Sequence, residues 1–134
     1  MDRDVWKYGA HAVSNRKVYA LVNDMAVAER IVKYAVLLHV TARNFDRAQA
    51  LIDNARKEKP FLVILDFEKC EAEAFQTLKE LHESADLKGV PVIGFATQAK
   101  VMVKPEAEKA GCFRVYMKTE FGKELPDLIA RYAI

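Results

Sequence analysis

Asp66 stands directly after five consecutive apolar residues, Phe61-Leu62-Val63-Ile64-Leu65. A carboxylate fixed at the end of so apolar a run is a candidate nucleophile, because such an oxygen can attack phosphorus and form an aspartyl phosphate. Other short runs end in the same way. Asn23 and Asp24 follow Val18-Tyr19-Ala20-Leu21-Val22, Ala96 and Thr97 follow Val92-Ile93-Gly94-Phe95, and Lys118 follows the segment from Arg114 to Met117. Asp24 with Asp66 would supply the one or two carboxylates that hold Mg²⁺ alongside waters and phosphate oxygens. The cation and the Lys118 ammonium would spread the negative charge of a transferring phosphoryl group. Each residue also has a plainer reading. A strand-ending Asp is often a turn former or a helix cap, which is the better reading of Asp24 alone. A single Lys after a strand is usually a solvated charge.

Such chemistry requires the chain to bring these positions together. The apolar runs are too short for helices and rich in strand formers, so they read as strands. The run ending at Asp66 is apolar on both faces, as a central parallel strand is. Val40 to Asn44 is a weaker strand. Between the strands, apolar residues recur at helical spacing: Val27, Ile31, Ala35 and Leu38; Ala48, Leu51, Ile52 and Ala55; Ala74, Leu78, Leu81 and Ala85. A fourth helix is expected from about Val101 to Ala110, stopped by Gly111. Phe121, Leu125, Leu128, Ile129 and Tyr132 stripe the last, which Pro126 predicts to start later than Phe121. Five strands alternating with five helices form a parallel sheet covered on both faces. Ligands in such folds sit beyond the carboxyl ends of the strands, where strand order reverses. The residues singled out above all lie there.

Composition narrows the classes. The 134 residues carry 21 Lys and Arg against 19 Asp and Glu, a net charge of +2, which gives no field for a nucleic-acid or membrane partner. No apolar run has the length of a membrane span. The start, Met1-Asp2-Arg3-Asp4-Val5-Trp6-Lys7, has no apolar core of a secretory signal, so a cytoplasmic location is expected. Cys70 and Cys112 have no metal-type spacing, and His11, His39 and His82 are scattered; packing or surface positions are the readings for all five. Residues 1–16 are read as an N-terminal arm, in which Trp6 and Tyr8 either pack back or dock a partner, and 17–134 as one domain.

The ordered set resembles the response-regulator receiver family of two-component signalling, from about Lys17 to the C-terminus. The carriers are the pair Asn23-Asp24, the acceptor position Asp66, the leader Val90-Pro91-Val92-Ile93, and the stretch Ala110-Gly111-Cys112-Phe113-Arg114-Val115-Tyr116-Met117-Lys118. The resemblance implies a flavodoxin-like α/β fold with a five-stranded sheet in the order 2-1-3-4-5. It implies that Asp66 takes a phosphoryl group from a histidine kinase or phosphotransfer protein. Mg²⁺ would be held weakly by Asp24, Asp66 and the Glu68 backbone carbonyl, with Asn23 contributing indirectly. Lys118 would bind the phosphoryl oxygens. Any catalysis is then limited to the chain's own phosphotransfer and dephosphorylation. With no room for an output domain, the message would pass by contact with a downstream protein, and a homodimer stays open.

Departures from the family pattern carry a second reading. Asn23 replaces one acid of the pair. Ala96 falls at the position of a conserved Thr or Ser, with Thr97 one residue later. Thr119 follows the lysine where Pro is usual, and Val115 stands where an aromatic commonly switches. The loop Phe67-Glu68-Lys69-Cys70-Glu71-Ala72-Glu73 lacks the usual Pro and Gly, and its Glu68 side chain is expected to face the site, where it would repel a phosphoryl group or bind the cation. These changes favour an unphosphorylated pseudo-receiver that acts as an interaction module. A small-molecule hydrolase on the same fold lacks any base–nucleophile pair.

Overall fold

A computed structural model of the chain describes residues 16–133. Apart from Arg16, the expected arm lies outside the described residues, and Trp6, Tyr8 and His11 with it. The strands are β1 Lys17–Leu21, β2 Thr41–Asn44, β3 Leu62–Asp66, β4 Val92–Ala96 and β5 Arg114–Met117. The helices are α1 Met25–Leu37, α2 Ala48–Lys57, α3 Glu71–Glu83, α4 Val103–Lys109 and α5 Lys118–Tyr132, with a short 3₁₀ turn at Gln98–Lys100. All strand pairs are parallel, in the order β2-β1-β3-β4-β5. This is the flavodoxin-like arrangement expected from the sequence.

Side chains alternate across the sheet, as the strand period of two requires. Tyr19, Leu21, Val63 and Leu65 enter one core with Leu51, Ile52 and Leu78, under α2, α3 and α4. Val18, Ala20, Leu62, Ile64, Ile93 and Phe95 enter the other, with Ile31 of α1 and Phe121, Leu125 and Leu128 of α5. Both faces of β1, β3 and β4 are thereby buried, and their ends are fixed. At Gly94 the backbone of β4 passes so close to the Phe67 ring that an added Cβ would overlap it. That contact seats Phe67, the residue after Asp66, beneath the sheet edge.

Two helix ends show why the elements stop where they do. After α1, the His39 N–H bonds to Val36 O and the Val40 N–H to Ala35 O, a paired closure that needs a left-handed residue; His39 takes it with φ 60°. After α4, Gly111 makes the same closure at φ 116°. Two helices differ from the sequence reading. The fourth begins as the 3₁₀ turn, and its regular part is only Val103–Lys109. The fifth starts at Lys118, so Pro126 lies in its interior. An interior proline costs about 3 kcal/mol. Buried Phe121, Leu125, Leu128 and Ile129 outweigh it by anchoring both sides of the proline to the core. No described helix is long and apolar enough to cross a membrane.

Candidate functional site

Asp66 ends the central strand and is fully buried. A buried carboxylate needs hydrogen-bond donors to offset its lost hydration. Three backbone N–H groups provide them. Glu68 N and Lys69 N both donate to Oδ1 at 2.9 Å, and Asn23 N donates to Oδ2 at 3.1 Å. The first two form an Asx-type turn in which the aspartate shapes its own following loop. The third crosses from β1 and ties the two strand ends together. Oδ2 has one donor where Oδ1 has two, so Oδ2 keeps the freer lone pairs.

Asp24 sits one residue beyond that bridge. Its Oδ1 caps α1 by accepting the Val27 N–H at 3.2 Å, the role the sequence gives it when taken alone. Its Oδ2 lies 2.5 Å from Lys118 Nζ. The Lys118 bond holds the Asp24 carboxyl below its ordinary range, and Asp24 in turn raises the Lys118 ammonium. Asp66 and Glu68 act on Lys118 in the same direction at longer range. The ammonium is therefore in the same crevice as Asp66, yet its direct partner is Asp24. The Lys118–Thr119 peptide bond is trans.

Glu68 is the second residue after Asp66, and its side chain is turned to the end of β4. A single oxygen, Oε1, accepts the Thr97 N–H at 3.0 Å and the Thr97 hydroxyl at 2.6 Å. The hydroxyl first, then the amide, hold the Glu68 carboxyl below its ordinary range. Thr97 therefore has its hydroxyl engaged by Glu68. Ala96 is the buried last residue of β4, opposite Met117 in register, and has no side-chain donor to offer. Val115 is buried in the core, with its N–H on Glu108 Oε2 at 3.1 Å.

Of the remaining candidates Cys70 borders the site, and Cys112, His39 and His82 occupy packing or turn positions. Cys70 is half-buried before α3, and burial pushes its thiol up. Cys112 is buried and pushed up to about 12 by burial. Neither is a ready thiolate. His82 packs near Gly111, and His39 forms the turn after α1.

One structural partner escaped sequence reasoning altogether. Glu73, on α3, accepts the Ala48 N–H at 2.7 Å and so caps α2 from another element. Arg47, at the cap position itself, makes no side-chain cap bond. On the β2 side of Asp66 lies a cleft of about 420 Å³ lined by Asn23, Asn44, Asp46, Lys69, Cys70 and Glu73. Asn44 closes one wall by exchanging two hydrogen bonds with the Val22 backbone, at 3.0 and 2.9 Å. Among the described residues no three His, Cys, Asp or Glu side chains come together as a metal cage.

This architecture is shared with known structures. The signal receiver domain of a two-component response regulator from Bacteroides fragilis superposes with a TM-score of 0.72 at 18% identity, covering 88% of this chain and 96% of that one. The chemotaxis response regulator CheY4 of Vibrio cholerae gives 0.72 at 15% identity, covering 87% and 98%. A response regulator protein from Burkholderia multivorans gives 0.71 at 16% identity, covering 89% and 95%. No family model matches the chain, and neither does any curated protein sequence. The fold is that of response-regulator receiver domains.

Proposed function

We propose that the chain is a receiver domain in which Asp66 accepts a phosphoryl group from the phosphohistidine of a histidine kinase or phosphotransfer protein. The observation that carries this reading is the place of Asp66. It is the one carboxylate at the end of the central strand, with Lys118 and Asp24 beside it at the point where strand order reverses. In the transfer, an Asp66 oxygen forms the O–P bond as the P–N bond to the donor imidazole breaks. The imidazole nitrogen leaves and takes its proton from solvent. Oδ2 is the attacking oxygen, since Oδ1 is engaged by two N–H groups.

Charge decides what else the reaction needs. Asp24, Asp66 and Glu68 concentrate negative charge in the crevice, where Lys118 pairs directly with Asp24 while Lys69 and Lys100 act on Asp24 and Glu68 from longer range. An incoming phosphoryl group would add to that negative charge. A hydrated Mg²⁺ fits this donor set, because that ion needs only one or two carboxylates and keeps its waters. Asp24, Asp66 and the Glu68 backbone carbonyl would hold it. Bound there, it would neutralise charge developing on the phosphoryl oxygens. Asp24 would have to exchange Lys118 for the cation, which frees the ammonium for the phosphoryl group and makes the binding weak. Output would run through contact with a downstream protein.

A second reading has its own observation. Asp66 has no exposed surface, and the donors around it are already matched to internal carboxylates. A domain in that state is suited to act as a docking module that is never phosphorylated. Intact-mass measurement in cold neutral buffer, with acetyl phosphate and Mg²⁺, separates the two. A single added phosphate on wild type, lost in Asp66→Asn, is expected for the receiver. An unmodified wild type beside a labelled control receiver would favour the docking module.

A further inference from the structure

We propose that Glu68 is a latch on the loop that closes over Asp66, and that its release admits the phosphodonor. The inference rests on the reading of Asp66 as phosphoacceptor. Its grounds are the burial of Asp66 and the way the covering loop is fastened. Asp66 is fully buried, so no donor can reach its oxygens until something beside it moves. The loop that follows is held at its base by the Glu68 and Lys69 N–H bonds to Oδ1. It is held across the crevice by the Glu68 side chain, whose Oε1 takes both the N–H and the hydroxyl of Thr97.

Two other polar ties join these segments among the described residues, the Phe67 N–H to Phe95 O at 3.0 Å at the start of the loop and, farther out, Lys100 Nζ to Glu71 Oε1 at 2.8 Å. The Lys100 and Glu71 side chains are 36% and 42% exposed, and an ion pair so open to water contributes little. The Glu68 contact is partly buried, and both of its bonds are charge-assisted, the stronger kind. It is the principal side-chain fastening of the loop beyond Phe67 to the end of β4. A phosphoryl group on Asp66 would bring new acceptor oxygens towards the same Thr97 donors and place negative charge against the Glu68 carboxylate. The closed latch and a phosphorylated Asp66 therefore oppose each other. Phosphorylation would release Thr97 and the 3₁₀ turn that follows it, so the modified form is the looser one at this edge.

The test uses Glu68→Ala, Glu68→Gln and Thr97→Val beside wild type. Hydrogen exchange over residues 97–102 is measured first, with no phosphodonor present. Exchange is expected to rise in Glu68→Ala and Thr97→Val, and less in Glu68→Gln, which keeps an acceptor oxygen. Labelling by acetyl phosphate with Mg²⁺ is then followed by intact mass. Glu68→Ala, which loses both charge-assisted bonds, is expected to label at least about tenfold faster than wild type, since one such bond alone is worth about that factor. Unchanged exchange at Thr97, or labelling no faster in Glu68→Ala than in a labelled wild type, overturns the latch and leaves the phosphoacceptor reading standing. Absence of label in every variant, with exchange raised, overturns the phosphoacceptor reading and the gating role with it.

Discussion

Replacing Asp66 with Asn tests what holds this buried carboxylate in place. The swap is often treated as structurally silent, and the hydrogen bonds here say otherwise. Three N–H groups converge on the carboxylate, at 2.9, 2.9 and 3.1 Å. An amide has one acceptor oxygen. If that oxygen keeps Glu68 N and Lys69 N, its NH₂ must face the Asn23 N–H, donor against donor. Two bonds fall from the charged class, about 1.5–3 kcal/mol each, to the neutral class of about 0.5–1.5, and the third is lost. Against this stands the relief of a buried charge, whose desolvation costs several kcal/mol before its bonds are counted. We expect the bonds to win narrowly, with Asp66→Asn less stable by about 1–2 kcal/mol. Urea unfolding followed by far-ultraviolet circular dichroism reads the difference as a lower midpoint with unchanged slope. An Asp66→Asn protein as stable as wild type, or more so, would refute the reasoning. It would mean that the buried charge is a net liability which the three N–H groups do not offset.

Three further outcomes are expected. His39→Gly should stabilise the domain by about 1 kcal/mol, because His39 holds φ 60° where glycine carries no Cβ penalty; a loss of stability in thermal unfolding would contradict the turn described after α1. Glu108 gives a pH dependence: burial pushes its carboxyl up, but the bonds from Lys104 and the Val115 N–H win and leave it below its ordinary range. Its contribution is then present above the unfolded carboxyl value of about 4.3 and is lost as pH falls through the lower folded value, so the stability gap between wild type and Glu108→Gln should close only in that acid window. Cys112, with its thiol pushed up to about 12, should resist iodoacetamide at neutral pH in the native state, and rapid alkylation there would contradict its burial.

The strands and their ends were legible because burial on both faces leaves an unbroken apolar signature. Phe61 to Leu65 and Val92 to Phe95 could hardly be anything else, and Asp66 could hardly be anywhere but the end of the sheet. Asp24 was legible as a cap, and as a crevice residue only through its neighbours. What the sequence hid are contacts between side chains far apart in the chain. Glu68 and Thr97 are 29 residues apart, and Glu73 and Ala48 are 25 apart. Local periodicity carries no information about either pair. The interior Pro126 misled because local propensity argues against it, while the core residues around it override that propensity. The pairing of Lys118 with Asp24 was hidden for another reason: the sequence offers Lys118 several carboxylates at the strand ends, and the fold sets which one it meets.

If Asp66 is the one carboxylate that receives the phosphoryl group, its acyl phosphate can be trapped chemically. After treatment with acetyl phosphate and Mg²⁺, borohydride reduces an aspartyl phosphate to homoserine at the modified position. Peptide sequencing by mass spectrometry then reads that position directly. Homoserine is expected at residue 66, with aspartate retained at residue 24. Conversion at another carboxylate, or no conversion while a control receiver is converted under the same conditions, would contradict Asp66 as the acceptor.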